Sequence, residues 1–205
     1  MTSKTIVPPV DAAGFVLLRD RSAGIEVLLG RRHAKSSFLP EYYVFPGGRV
    51  DSGDARVRDL DLAPGVALHL GRATRRPPRA FVQAAIRETA EETGLRFPPE
   101  LAHRIDYVCQ ALTPTYSPRR YNTRFLLGEG DACEETLRSN GELDDLAWRP
   151  VTGLDRLTML DITRIVLKEA LDRWQRHLQP GAEPPLRVTY AGDTPRFARI
   201  VPGPR

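Results

Sequence analysis

Glu88, Glu91 and Glu92 have the types and spacing to do chemistry in this 205-residue chain. A helix turns about 100° per residue, so these carboxylates share an arc of about 100° on one face. Like charges at i, i+3 and i, i+4 repel by roughly a few tenths of a kcal/mol each, so the face calls for a cation. Hard oxygen ligands suit Mg²⁺ or Mn²⁺, which can bridge carboxylates and phosphates. Such an ion neutralises a diphosphate, orients it and lowers the pKa of a bound water. Arg87 lies at i, i+4 from Glu91 and is spaced to orient that carboxylate. Upstream, Phe45-Pro46-Gly47-Gly48 offers two glycines where main chain can come close to a ligand, followed by Asp51 and Asp54.

The elements that must hold these residues are legible in outline. Residues 12–19 and 25–32 are apolar, β-branched runs bridged by polar residues and Gly24, which predicts an antiparallel hairpin. Tyr42 to Phe45 reads as a third strand running into the glycine turn. Phe81 to Thr93 reads as a helix stopped by Gly94. Its Val82, Ile86, Ala90 and Thr93 are expected to pack on a sheet, and the small Ala84 and Ala85 to sit beside the glutamates. Further strands are expected at 105–112, 123–127 and 146–151. Apolar residues from Leu160 to Trp174 recur at helical spacing, predicting a second helix within 157–178. The Pro-rich tail, 180–205, reads as extended or loosely docked, with one strand at Arg187 to Tyr190.

Gly48, Asp54, Arg87-Glu88, Glu91-Glu92, Gly94 and Leu95 together resemble the Nudix box. Residues 55–86 separate Asp54 from Arg87, 32 residues where that box has seven, so the resemblance includes a 25-residue insertion. It implies a single domain over 1–205 with a basic insertion at 55–80. The implied fold is an α/β, Nudix-type α/β/α sandwich with a mixed sheet, the catalytic helix on one side and a C-terminal helix on the other. It further implies that Glu91 and Glu92 bind metal, that Glu88 binds metal or acts as base, that the Gly48 carbonyl completes the ion's shell and that Arg87 orients a glutamate. Asp54 stands where the box has Glu. Some members of the family take their base from a later loop, which brings in Glu129, Glu134, Glu135 and, foremost, Glu142.

Leu28 to Arg32 with Phe45 to Gly48, together with Thr113-Pro114 and Arg119 to Phe125, are similar to the coenzyme A diphosphatase branch of that family. Ser37 and Glu41 depart from its motif, which carries Arg and Gly there. The implied substrate is a nucleoside diphosphate derivative such as coenzyme A or an acyl-coenzyme A. ADP-ribose, nucleotide sugars, nucleoside triphosphates and a catalytically silent nucleotide-binding regulator stay open. Arg31, Arg32, Arg119 and Arg120 are candidate phosphate contacts, since a guanidinium presents several donors to phosphate oxygens. Tyr42, Tyr43 and Tyr116 are candidates to stack on a base.

Composition narrows the classes. Hydrophobic content of 41% and charged content of 27% are those of a folded globular chain. The apolar runs fall far short of the ~18 residues of a membrane span, and the N-terminus lacks the pattern of a secretory signal, so a cytoplasmic location is expected. Cys109 and Cys133 read as reduced, and the four histidines lack ligand spacing. Residues 55–86 hold six arginines against Asp59 and Asp61, an excess equal to the net charge of +4. That segment reads as a basic lid attracting an acidic small molecule rather than a nucleic-acid module, because exposed aromatics are not interleaved with its arginines. A homodimer remains open.

Overall fold

A computed structural model describes residues 6–36, 39–72, 74–134 and 136–201. Nine strands form one sheet among them. In chain order the elements are β1 (Val10–Arg21), β2 (Gly24–Arg32), β3 (Tyr43–Val44), β4 (Gly47–Arg49), α1 (Pro64–Leu70), α2 (Pro78–Thr93), β5 (Asp106–Leu112), β6 (Tyr121–Glu129), β7 (Leu143–Pro150), α3 (Asp161–Gln175), β8 (Leu186–Ala191) and β9 (Thr194–Arg199). The strand order is β3-β2-β1-β6-β5-β8-β9, with β4 on β1 and β7 on β2. Parallel β1–β6 and β5–β8 pairs among antiparallel ones make the sheet mixed.

Period-two alternation divides the core between the two faces of the sheet. Phe15 and Leu17 of β1 and Leu28 of β2 join the cluster containing Phe81, Val82 and Ile86 of α2. Val16, Leu18, Val27 and Leu29 join the opposite cluster with Val166, Leu167 and Ala170 of α3. The helices α2 and α3 therefore lie on opposite faces, as the sandwich requires. A register shift between Tyr107 and Cys109 in β5 puts Val108 and Cys109 together on the α3 side. Both cysteines are free, and burial pushes the Cys133 thiol up to about 12.

Three expectations need correction. First, α2 begins at Pro78, three residues before the expected start, because a proline in the first turn loses no helical hydrogen bond. It ends where expected: Gly94 takes φ 72°, and its N–H donates to the Ala90 carbonyl. Second, Ala84 and Ala85 are fully buried in the core rather than beside the carboxylates. Third, the tail is an antiparallel hairpin, β8–β9, that extends the sheet. Two of its six prolines, Pro202 and Pro204, lie outside the described residues.

Residues 55–80 also contain an element that their sequence did not announce. α1 buries Val66 and Leu70 in the α2-side core, each such side chain contributing about 1.5–3 kcal/mol. Arg72 donates to the Val201 carbonyl at 2.9 Å, Arg76 faces Asp11 at 3.5 Å, and Arg79 reaches the Ala55 carbonyl at 3.4 Å. This basic segment is thus a docked flank. Arg56, Arg58 and Arg75 keep their exposure.

Candidate active site

The two halves of the split motif meet through Arg87. Its Nε and one Nη donate to the two oxygens of the Asp54 carboxylate, both at 3.0 Å, and the same Nη donates to the Arg49 carbonyl at 3.0 Å. The other Nη donates to Glu88 at 2.9 Å and Glu91 at 3.4 Å. Asp54 is buried in a short 3₁₀ turn, Asp54–Arg56, and also accepts the Asp51 amide at 2.8 Å. Asp54 therefore positions Arg87 across the insertion, and its shorter side chain suffices for that. The hydrogen bond with Asp54 is the largest cause holding the Arg87 guanidinium above its ordinary pKa.

The glutamates share a helical face but differ in environment. Glu88 lies against Gly48, where an added Cβ would overlap its carboxylate. Burial is the main influence raising its pKa, opposed by Arg87. Glu92 is buried and accepts the Gly47 amide at 2.9 Å. Burial pushes its carboxyl up to about 8, with Glu88 and Glu142 adding to the rise while the Gly47 amide and Arg32 oppose it. Glu91 is the exposed one.

Among the described residues no three acidic, His or Cys side chains are gathered closely enough to hold an ion. Arg87 draws Glu88 and Glu91 to itself while Glu92 turns to the Gly47 amide, so the convergence expected from helical spacing is incomplete. The donor set nevertheless fits a hard divalent cation. Glu92 is a buried acid with no ion-pair partner among the described residues, and the missing Cβ of Gly48 on β4 leaves Glu88 room against the main chain.

A cavity of about 500 Å³ lies near this cluster, though none of the three glutamates lines it. Arg32, within electrostatic reach of Glu92, lines it together with Val44 and Phe45, which lead into Gly47. Of the other candidate phosphate contacts, Arg31 pairs with Glu41 at 2.7 Å on the surface and Arg119 is exposed. Arg120 is buried and donates to the carbonyls of Thr113 at 3.2 Å and Val7 at 2.9 Å, so its guanidinium serves the main chain. Among the candidate bases, Glu142 is exposed but raises the pKa of both Glu88 and Glu92, which places it beside the box. Glu129 pairs with Arg104 at 2.7 Å, Glu134 bridges the main chain of Arg96, and Glu135 lies outside the described residues, as does Ser37.

Tyr116 also lines the cavity, whereas Tyr43 is covered by the Arg149 guanidinium at 5.0 Å from its ring centroid. Sequence reasoning missed Asp161, Tyr190 and Asp193 in the cavity's lining. Asp161 carries a weak signal, an acid at a helix start, while the other two come from the hairpin taken for a loose tail.

No family model and no curated protein matches the chain. Its structure is similar to that of a NUDIX hydrolase from Alicyclobacillus acidocaldarius, with a TM-score of 0.62 and 25% identity over 82% of this chain and 93% of that one. It is also similar to the NUDIX domain of Shewanella oneidensis NrtR complexed with ADP ribose, with a TM-score of 0.55 and 16% identity over 82% and 90% of the two chains. An Ap4A hydrolase from C. elegans aligns with a TM-score of 0.51 and 18% identity over 82% and 99%.

Proposed function

We propose that this chain, whose fold is that of the Nudix hydrolases, is a pyrophosphohydrolase of the Nudix type. It acts with Mg²⁺ or Mn²⁺ on a small-molecule nucleoside diphosphate derivative in the cytoplasm, and coenzyme A or an acyl-coenzyme A is its first candidate substrate. The observation that carries the reading is the buried Glu92 carboxyl against the glycine strand β4, beside Glu88 and the Asp54–Arg87 clamp. A structural helix gains nothing from burying an acid without a cation.

Glu88, Glu91, Glu92 and the Gly48 carbonyl would hold the ion, which supplies charge neutralisation and a more acidic water when bound. Arg87 restrains Glu88 and Glu91, and Asp54 restrains Arg87. Glu88 or Glu142 accepts the proton of the attacking water. The water oxygen bonds to one phosphorus, the bridging P–O bond on that side breaks, and the bridging oxygen leaves on the second phosphoryl group. Two phosphomonoesters result. Arg32 is placed to meet phosphate oxygens at the cavity mouth.

The resemblance of residues 28–32 and 45–48 to the coenzyme A motif supports that substrate. The test is phosphomonoester release from coenzyme A, ADP-ribose and a nucleotide sugar with either metal, comparing wild type with Glu91→Gln. The expected result is turnover of at least one substrate and a fall of about 10²-fold or more in the variant. Equal, negligible turnover by both proteins across the panel would sink the hydrolase reading and leave a nucleotide-binding regulator.

A further inference from the structure

The cavity beside the box is polarised along its length. Arg32 is its cation among the described lining residues and stands at the end nearest Glu92. Its middle is apolar, with Phe45 and Phe125 edge to face at 6.1 Å between centroids and Leu160 and Ile162 beside them. Its remaining charged lining residues are Asp161 and Asp193. Asp161 opens α3, so its own carboxylate already supplies the negative charge that a helix N-terminus attracts. Asp193 sits in the β8–β9 turn and accepts a hydrogen bond from the Tyr116 hydroxyl, tying the loop between β5 and β6 to the C-terminal hairpin. In the strand order Arg32 on β2 and Asp193 in the β8–β9 turn therefore stand apart, with Phe125 of β6 and Ala111 of β5 between them.

Resting on the hydrolase reading above, we propose that this cavity receives the uncharged half of the diphosphate substrate and that Asp161 and Asp193 reject a half bearing a further phosphate. One phosphate of the linkage stays with Arg32 and the box. The group beyond it meets aromatic and aliphatic walls and then two carboxylates, with no cation among the described lining residues to neutralise a second phosphate. Asp161 and Asp193 are exposed, and two such carboxylates near a phosphate together cost about tenfold in affinity. The volume, about 500 Å³, suits a nucleoside or a pantetheine-like arm. Either satisfies the same rule, an uncharged body on a single phosphate.

Calorimetric titration of the full chain in Mg²⁺ buffer with AMP, 4′-phosphopantetheine and adenosine 3′,5′-bisphosphate tests this without requiring turnover. At least one of the first two should bind about tenfold or more tightly than the bisphosphate. Whichever binds better identifies the half that enters. Replacing both acids, Asp161→Asn with Asp193→Asn, should tighten the bisphosphate selectively and shrink its disadvantage over AMP to about threefold or less. A bisphosphate that binds wild type as tightly as AMP, a preference unchanged in the double variant, or failure of all three to bind would overturn the proposal. Because hydrolysis is not the readout, a chain that binds with this preference but never turns over would refute the hydrolase reading alone.

Discussion

Arg87 on α2 and Arg173 on α3 each hold a glutamate one helical turn away, Glu91 and Glu169, yet their surroundings differ in kind. Arg173 is 1% exposed and bonds Glu169 and Asp106, both at 2.9 Å, as well as the carbonyls of Glu183 and Pro184. Arg199 joins the same Glu169, so two cations meet two acids. Arg87 is 25% exposed and faces Asp54, Glu88 and Glu91, with Glu92 buried one residue beyond. The α3 cluster is neutral and saturated; the α2 cluster keeps an excess of negative charge beside a cavity. Charge balance, more than the presence of an Arg–Glu pair, separates structural from functional use.

Breaking the balanced cluster should have the largest effect on stability. Arg173→Ala strands Asp106 in the core and should cost about 3–5 kcal/mol, read as a lower denaturation midpoint, while activity per folded molecule changes little. The α2 cluster should respond in the opposite sense. Glu92→Gln should lower kcat by about 10²-fold and leave the metal-free protein as stable as wild type or more so, because burial has already raised the Glu92 carboxyl to about 8 and a neutral amide of the same shape replaces an acid that ionises there only at a cost. Comparable losses of activity per folded molecule in both variants would erase the distinction.

A smaller effect sharpens the contrast through His69 of α1. This residue is buried; its pKa is held below the ordinary 6.5 by desolvation first and then by Arg72 and Arg173, with Asp106 and a hydrogen bond to the Ile200 main chain opposing. Below about 6.5 the unfolded chain takes up a proton that the folded chain resists, so this contribution to stability is lost as pH falls. Thermal unfolding between pH 7.5 and 5.5 should therefore show a shallower acid loss in His69→Gln than in wild type. Identical slopes would mean that the insertion does not hold His69 neutral.

Much of the site was legible because helical spacing and the position of glycines are local properties. Glu88, Glu91 and Glu92 share the expected face, and the β1–β2 hairpin follows from alternation and Gly24. Arg120 shows the limit of such reading. Beside Arg119 it looks like a phosphate contact, but burial commits it to two carbonyls. α1 was hidden because its seven residues, containing a proline, a glycine and a histidine, have little helical signal of their own and gain order from burying Val66 and Leu70. β9 was hidden for a related reason: five of its six residues are exposed, and pairing with β8 rather than an apolar pattern defines it.

By itself, then, the sequence determined the identity of the carboxylates, the glycines that face them, which form the short strand β4 instead of the expected turn, the two long helices and most of the sheet. Each depends on residues a few positions apart, whose geometry the backbone period dictates. Tertiary structure alone decided that Asp54 clamps Arg87 across the insertion, that Glu92 is buried beside Gly47 while Glu91 stays in water, and that Asp161 and Asp193 share a cavity with Arg32. Those relations join residues tens to more than a hundred positions apart. They depend on burial and charge balance, which arise only when the chain has packed.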